Sequence, residues 1–151
     1  MSQNQDNRIG RLNYFYRYIF DHDIDISSFE KRMQLQKLMY ILQSEGIEFP
    51  YQFTWYLRGP YSARLADDGY QFAKYGPANV LPYQPTTQEK AILDRVSRKA
   101  HLLQDPINAE LVASYLYLQK KYEDTASEEL RTRKPRFSLD RISEVMNKWN
   151  N

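Results

Sequence analysis

The sequence predicts a mainly α fold of the α+β kind, a compact multi-helix domain carrying one small β-hairpin. Three observations lead there. Apolar residues recur at helical spacing along most of the chain. Helix-start signals of the S/T-x-x-E form stand before two of these stripes. One stretch, Tyr51 to Arg58, instead alternates with a period of two. A length of 151 residues is that of one ordinary domain, so residues 1–151 are read as a single unit.

A first helix is expected from Arg8 to Phe20, with Leu12, Phe15, Tyr16 and Ile19 inward and Arg11 and Arg17 off the stripe. Asp21 to Asp25 breaks it. Aspartates around His22 raise the question of a metal, but neighbours in an irregular run rarely converge on one ion, and a solvated acidic loop is the expectation. Ser27-Ser28-Phe29-Glu30 has the form of a capping box opening a second helix to Ser44. Leu35, Leu38, Met39 and Leu42 mark its buried stripe, Ile41 widens it, and Gly46 ends it. This is the expected core helix.

In the alternating stretch Tyr51, Phe53, Trp55 and Leu57 face one way, and Gln52, Thr54, Tyr56 and Arg58 the other. A lone strand leaves backbone groups unpaired, and the expected partner is the extended piece Asn79 to Tyr83, which Pro82 confines to an edge or an end. Gly59-Pro60-Tyr61-Ser62 reads as a sharp corner, with Ser62 capping a helix that carries Leu65 and Phe72 inward. Gly76 to Pro85, with three prolines, is the longest irregular connection and a candidate flexible or functional loop.

Thr86-Thr87-Gln88-Glu89 starts a helix running to Leu103, with Ile92, Val96 and Leu103 inward and His101 riding on it without a partner ligand. Asp105-Pro106 restarts the chain into a helix with the stripe Leu111, Tyr115, Leu118 and Tyr122. A short helix from Ala126 to Arg133 is stopped by Lys134-Pro135. In the last helix Ser138 is the cap, Phe137 and Ile142 form a hydrophobic staple, and Ile142, Val145, Met146 and Trp149 lie inside.

Composition narrows the function. Cysteine is absent, which removes disulfides, a thiol nucleophile and thiolate metal sites. With no long apolar run and a polar N-terminus, the chain is expected to be soluble and cytoplasmic. Lys and Arg number 21 against 19 acids, too even a balance for strong non-specific attraction to a polyanion. Two isolated histidines, five glycines and no glycine-rich phosphate loop leave no catalytic set, so no enzyme activity, metal or cofactor is expected. Adjacent acids such as Asp67-Asp68 and Glu128-Glu129 diverge on a helix and read as solvated charge. The excess is aromatic, with 13 tyrosines and 7 phenylalanines.

Two surfaces are candidates for binding. Tyr56, Arg58 and Tyr61 cluster with Trp55 at the end of the strand, and Trp, Tyr and Arg dominate protein-binding hot spots. Trp55 and Gly59 read as structural, whereas Tyr56, Arg58 and Tyr61 suit a docking corner and a structural turn equally. The alternative is nucleic acid. Arg131, Arg133, Lys134 and Arg136 stand beside the start of the last helix, and helices with a hairpin suit a winged-helix reader. An ordinary basic loop explains the same four residues.

LQKLMYILQ at Leu35 to Gln43, followed by FTWYLRGPYSARL at Phe53 to Leu65, resembles the Panacea domain family of SocA-like or phage-associated GepA-like proteins. Their pattern is a leucine-rich LQKLLY helix and then an aromatic strand ending in W-x-x-GP. The chain is more similar still to the YwgA-like branch, which has GPYS after the strand and K-P-x-F before a final helix, here Lys134-Pro135-Arg136-Phe137. The resemblance implies a helical domain with a small hairpin, found in toxin-antitoxin and phage-defence neighbourhoods. It implies an antitoxin or adaptor whose partner is a protein, a toxin or a defence component, and an activity of recognition rather than catalysis.

Overall fold

The structure, a computed structural model, describes residues 3–151. Its helices are α1 (Gln3–Phe20), α2 (Phe29–Ser44), α3 (Ala63–Tyr75), α4 (Thr87–Ser97), α5 (Ala100–Leu103), α6 (Pro106–Tyr122), α7 (Ala126–Arg133) and α8 (Leu139–Asn150). Strands β1 (Thr54–Tyr56) and β2 (Gly59–Tyr61) form one antiparallel hairpin between α2 and α3. The fold is therefore mainly α with a small β-hairpin. No helix among the described residues is long and apolar enough to cross a membrane.

Helix α2 is the centre. Every residue from Gln34 to Leu42 is buried, because α6, α3, β2, α1 and α4 all pack against it. Its polar side chains therefore need partners inside the protein. Gln36 both donates to the Ser62 carbonyl and accepts the Ser62 N–H at 2.8 Å, and Lys37 Nζ donates to the Pro60 carbonyl at 2.7 Å. Gln34 reaches the Leu103 and Gln104 carbonyls at 3.1 Å. A second buried tie joins α1 to α3: Arg8 grips Asp68 with two hydrogen bonds of 2.9 Å, and the Tyr51 hydroxyl donates to the same carboxylate at 2.7 Å.

The hairpin corrects the expected strand pairing. The partner of β1 is Gly59–Tyr61, in the register Thr54↔Tyr61, Trp55↔Pro60 and Tyr56↔Gly59, and not Asn79 to Tyr83. Both strands of a two-stranded sheet are edges, so Pro60, which has no N–H to donate, fits in a strand. Residues 79–83 run from the end of a 3-10 turn at Pro77–Asn79 into irregular chain. The alternation of faces holds through Trp55 and fails at Leu57, which is 79% exposed because it forms the turn with Arg58.

Three boundaries also differ. The first helix begins at Gln3 rather than Arg8. The cap of α2 is Ser28, which accepts from Lys31 N, since Asp25 already takes the Ser27 N–H at 2.9 Å and shifts the start by one. The helix from Thr87 breaks at Arg98 and Lys99 before α5 instead of running unbroken to Leu103. The caps at Ser62, Thr86 and Ser138 are as the sequence indicates, Thr86 and Glu89 form the reciprocal box, and Asp105 caps the helix that Pro106 opens. The connection Gly76 to Pro85 is tied to the body: the Tyr83 ring meets Tyr14 and Phe15 edge-on, and its hydroxyl donates to Glu89 at 2.6 Å.

Candidate functional site

Strand alternation puts Tyr56 and Tyr61 on one face of the hairpin and Trp55 and Pro60 on the other. The first face looks onto a groove of about 360 Å³ between α2, the hairpin and α3. Tyr56, Arg58 and Tyr61 all line it, so the residues singled out in the sequence come together here. The Tyr56 and Tyr61 rings lie 5.6 Å apart, centroid to centroid. The Arg58 guanidinium sits 5.5 Å above the Phe29 ring and 3.9 Å from Glu110.

The sequence reading missed most of the apolar wall. Phe29 and Met33 on α2, Leu57 at the turn and Tyr70 on α3 complete it, and Phe29, Tyr56, Leu57 and Tyr70 are each about half exposed or more. Lys37 also lines the groove although its residue is 1% exposed. Burial pushes its ammonium down to about 7; Glu110 opposes that shift, and Lys134 and Arg58 add to it. One signal for Lys37 was present: Leu38 to Leu42 is unbroken apolar sequence, so the helix has no solvent face to which a nearby lysine can turn. Glu110, beside the apolar run of α6, gave none.

Glu110 organises the other side of the hairpin. It is 5% exposed and pairs with Lys134 at 3.2 Å and with Arg136. Lys134, itself buried, also donates to the Leu57 carbonyl at 2.7 Å, which ties the segment after α7 to the hairpin turn. Burial lowers the Lys134 pKa, and Glu110 counteracts it. Arg133 donates to Glu129 at 2.8 Å and to the Tyr122 hydroxyl at 3.1 Å, and its guanidinium lies 5.3 Å from the Trp55 ring. Of the four basic candidates, Arg131 alone forms no ion pair among the described residues.

The aspartates of the loop after α1 have separate partners. Asp23 accepts from Asn13 and Arg17, and Asp25 accepts from Ser27 and forms an ion pair with Lys31 at 3.6 Å. Among the described residues no group of three potential metal ligands converges. His101 is exposed on α5.

Compared with known protein families, with curated proteins and with solved structures, the chain matches none.

Proposed function

We propose that this chain is a non-catalytic protein-binding module, an antitoxin-like or adaptor protein of a toxin-antitoxin or phage-defence system, that docks its partner in the groove between α2, the hairpin and α3. One observation carries the docking: Phe29, Tyr56, Leu57 and Tyr70 remain exposed on a single concave surface beside Arg58. A patch of this kind, apolar with a polar rim, marks interaction sites, and its Tyr and Arg content matches that of binding hot spots. The class of partner, a cytoplasmic toxin or defence component, comes from the Panacea-like motifs, whose LQKLMY and GPYS segments supply Lys37 and Tyr61 to this groove.

The alternative, a nucleic-acid-binding regulator using Arg131, Arg133, Lys134 and Arg136, has less support. Three of these cations are engaged by Glu110 and Glu129, which lowers their worth as phosphate contacts. The two readings separate in an affinity capture from nuclease-treated lysate of the source organism, run beside an Arg58→Ala, Tyr61→Ala double variant. A protein retained by the wild type and lost by the folded double variant is expected. Retention by the double variant, or loss of all binding on nuclease treatment, overturns the proposal.

A further inference from the structure

The charge around the groove is one-sided. Arg32, Lys37 and Arg58 line it, and among the described residues no aspartate or glutamate does. These cations are only partly used by the protein. An ammonium carries three donors, and Lys37 gives one, to Pro60. Arg32 donates to the Ile26 carbonyl at 3.1 Å and enters no ion pair among the described residues. Arg58 is the distant partner of Glu110, whose closer bonds go to Lys134 and Arg136.

The size of the cavity limits what enters. About 360 Å³ is at the small end of the roughly 300–1,000 Å³ typical of ligand clefts, room for a few side-chain groups and not for a docked helix. A purely apolar group fits the walls but leaves the Lys37 charge further desolvated, with only Glu110, already paired with Lys134 and Arg136, to oppose it, and a basic group meets three cations at reduced dielectric. A carboxylate answers both conditions, because it accepts charge-assisted hydrogen bonds from these donors.

We infer that the groove selects a short segment of a partner protein in which a bulky apolar side chain stands next to a carboxylate, the side chain lying among Phe29, Met33, Tyr56 and Tyr70 and the carboxylate pairing with Lys37, Arg58 and Arg32. This rests on the docking reading above and names the partner's chemistry. It also makes binding sensitive to pH. Lys37 is faced by Glu110 from α6, Arg58 from the hairpin and Lys134 from the segment after α7, and it shares the groove lining with Tyr61 and Arg32. With its ammonium lowered to about 7, Lys37 takes up a proton when the carboxylate arrives, so affinity falls as the pH rises through neutrality.

The test is a random peptide library displayed on phage, selected on the wild-type protein and counter-selected on a Tyr56→Ala, Arg58→Ala variant. Enriched sequences are expected to combine Phe, Leu, Trp or Met with Asp or Glu. A synthetic peptide of the enriched sequence is expected to lose about tenfold in affinity when its acid is replaced by the amide. Lys37→Met should shrink that difference and flatten the pH dependence, and Arg32→Gln, at a more accessible position, should also reduce the difference and serves as the test if Lys37→Met does not fold by circular dichroism. Groove-dependent binders that lack an acid, or an acid whose replacement changes nothing, overturn the inference and leave the docking reading intact. Absence of any groove-dependent peptide overturns both. Binding of phenylbutyrate in the groove without any peptide binder makes the occupant a small organic acid and also overturns the inference.

Discussion

The Lys37 ammonium and the Pro60 carbonyl oxygen lie 2.7 Å apart in the interior, so one side chain of the central helix holds the hairpin that walls the groove. This buried donor, beside the Gln36–Ser62 pair one residue earlier on the same helix, ties the floor of the groove to its wall. Because that donor carries a charge in a desolvated place, it has a consequence for stability.

Lys37 is lowered to about 7 in the folded protein from 10.5. Between these values the unfolded chain binds a proton that the folded chain does not, so stability rises with pH in this window and the penalty is fully present below it. Wild type is expected to gain of the order of a few kcal/mol relative to Lys37→Met between about pH 7 and about pH 9. Urea unfolding of both proteins across this range measures it; parallel curves contradict the assignment.

Gly59 is constrained twice. Its φ is +91°, and a Cβ there would lie 2.4 Å from Ser114 Oγ on α6. Gly59→Ala is expected to destabilise by about 2 kcal/mol. Adding Ser114→Gly should recover the steric part and leave the backbone part, which a double-mutant comparison of unfolding midpoints separates.

Asp68 is almost fully buried and serves Arg8 and Tyr51 together. Replacing Asp68 by Ala leaves the Tyr51 hydroxyl without its acceptor and removes both bonds of Arg8, at an expected cost of about 3 kcal/mol. Asp68→Asn keeps one acceptor oxygen, enough for the Tyr51 hydroxyl and Arg8 Nε but not for Arg8 Nη2, and should cost less. Equal losses for the two variants, read by chemical denaturation, would mean that shape and not pairing matters at this position.

Glu110 offsets Lys134 and Arg136. Glu110→Gln is expected to destabilise the fold by about 3 kcal/mol, since Lys134 is left buried without a counter-charge. It should also raise affinity for a DNA duplex at low salt by freeing Arg136, an effect lost as salt increases. Fluorescence anisotropy with a labelled duplex reads this directly. If the wild type already binds DNA tightly, with a salt slope that Arg133→Ala and Arg136→Ala reduce, the basic segment is the functional surface.

Much of the scaffold was legible because its signals are local. Caps at Ser62, Thr86 and Ser138 and the stripes of α1, α2 and α8 depend on residues three or four apart. The hairpin partner was hidden because Gly-Pro reads as a corner, and only the pairing with Trp55 turns Pro60 into a strand residue. The break between α4 and α5 carries no glycine or proline to announce it. Tyr56, Arg58 and Tyr61, close together in the sequence, all line the groove, whereas Phe29, Met33 and Tyr70 reach it from two other helices. Periodicity on their own elements does not say which neighbours they meet.

The most direct measurement is the affinity of the captured partner for single variants on the two sides of the hairpin. Tyr56→Ala, Arg58→Ala and Tyr61→Ala are expected to weaken binding by about tenfold or more with unfolding midpoints unchanged, and Arg131→Ala and Arg133→Ala to leave it as in the wild type. A partner indifferent to the three groove variants and lost with the two arginines would contradict the docking groove and move the function to the basic segment.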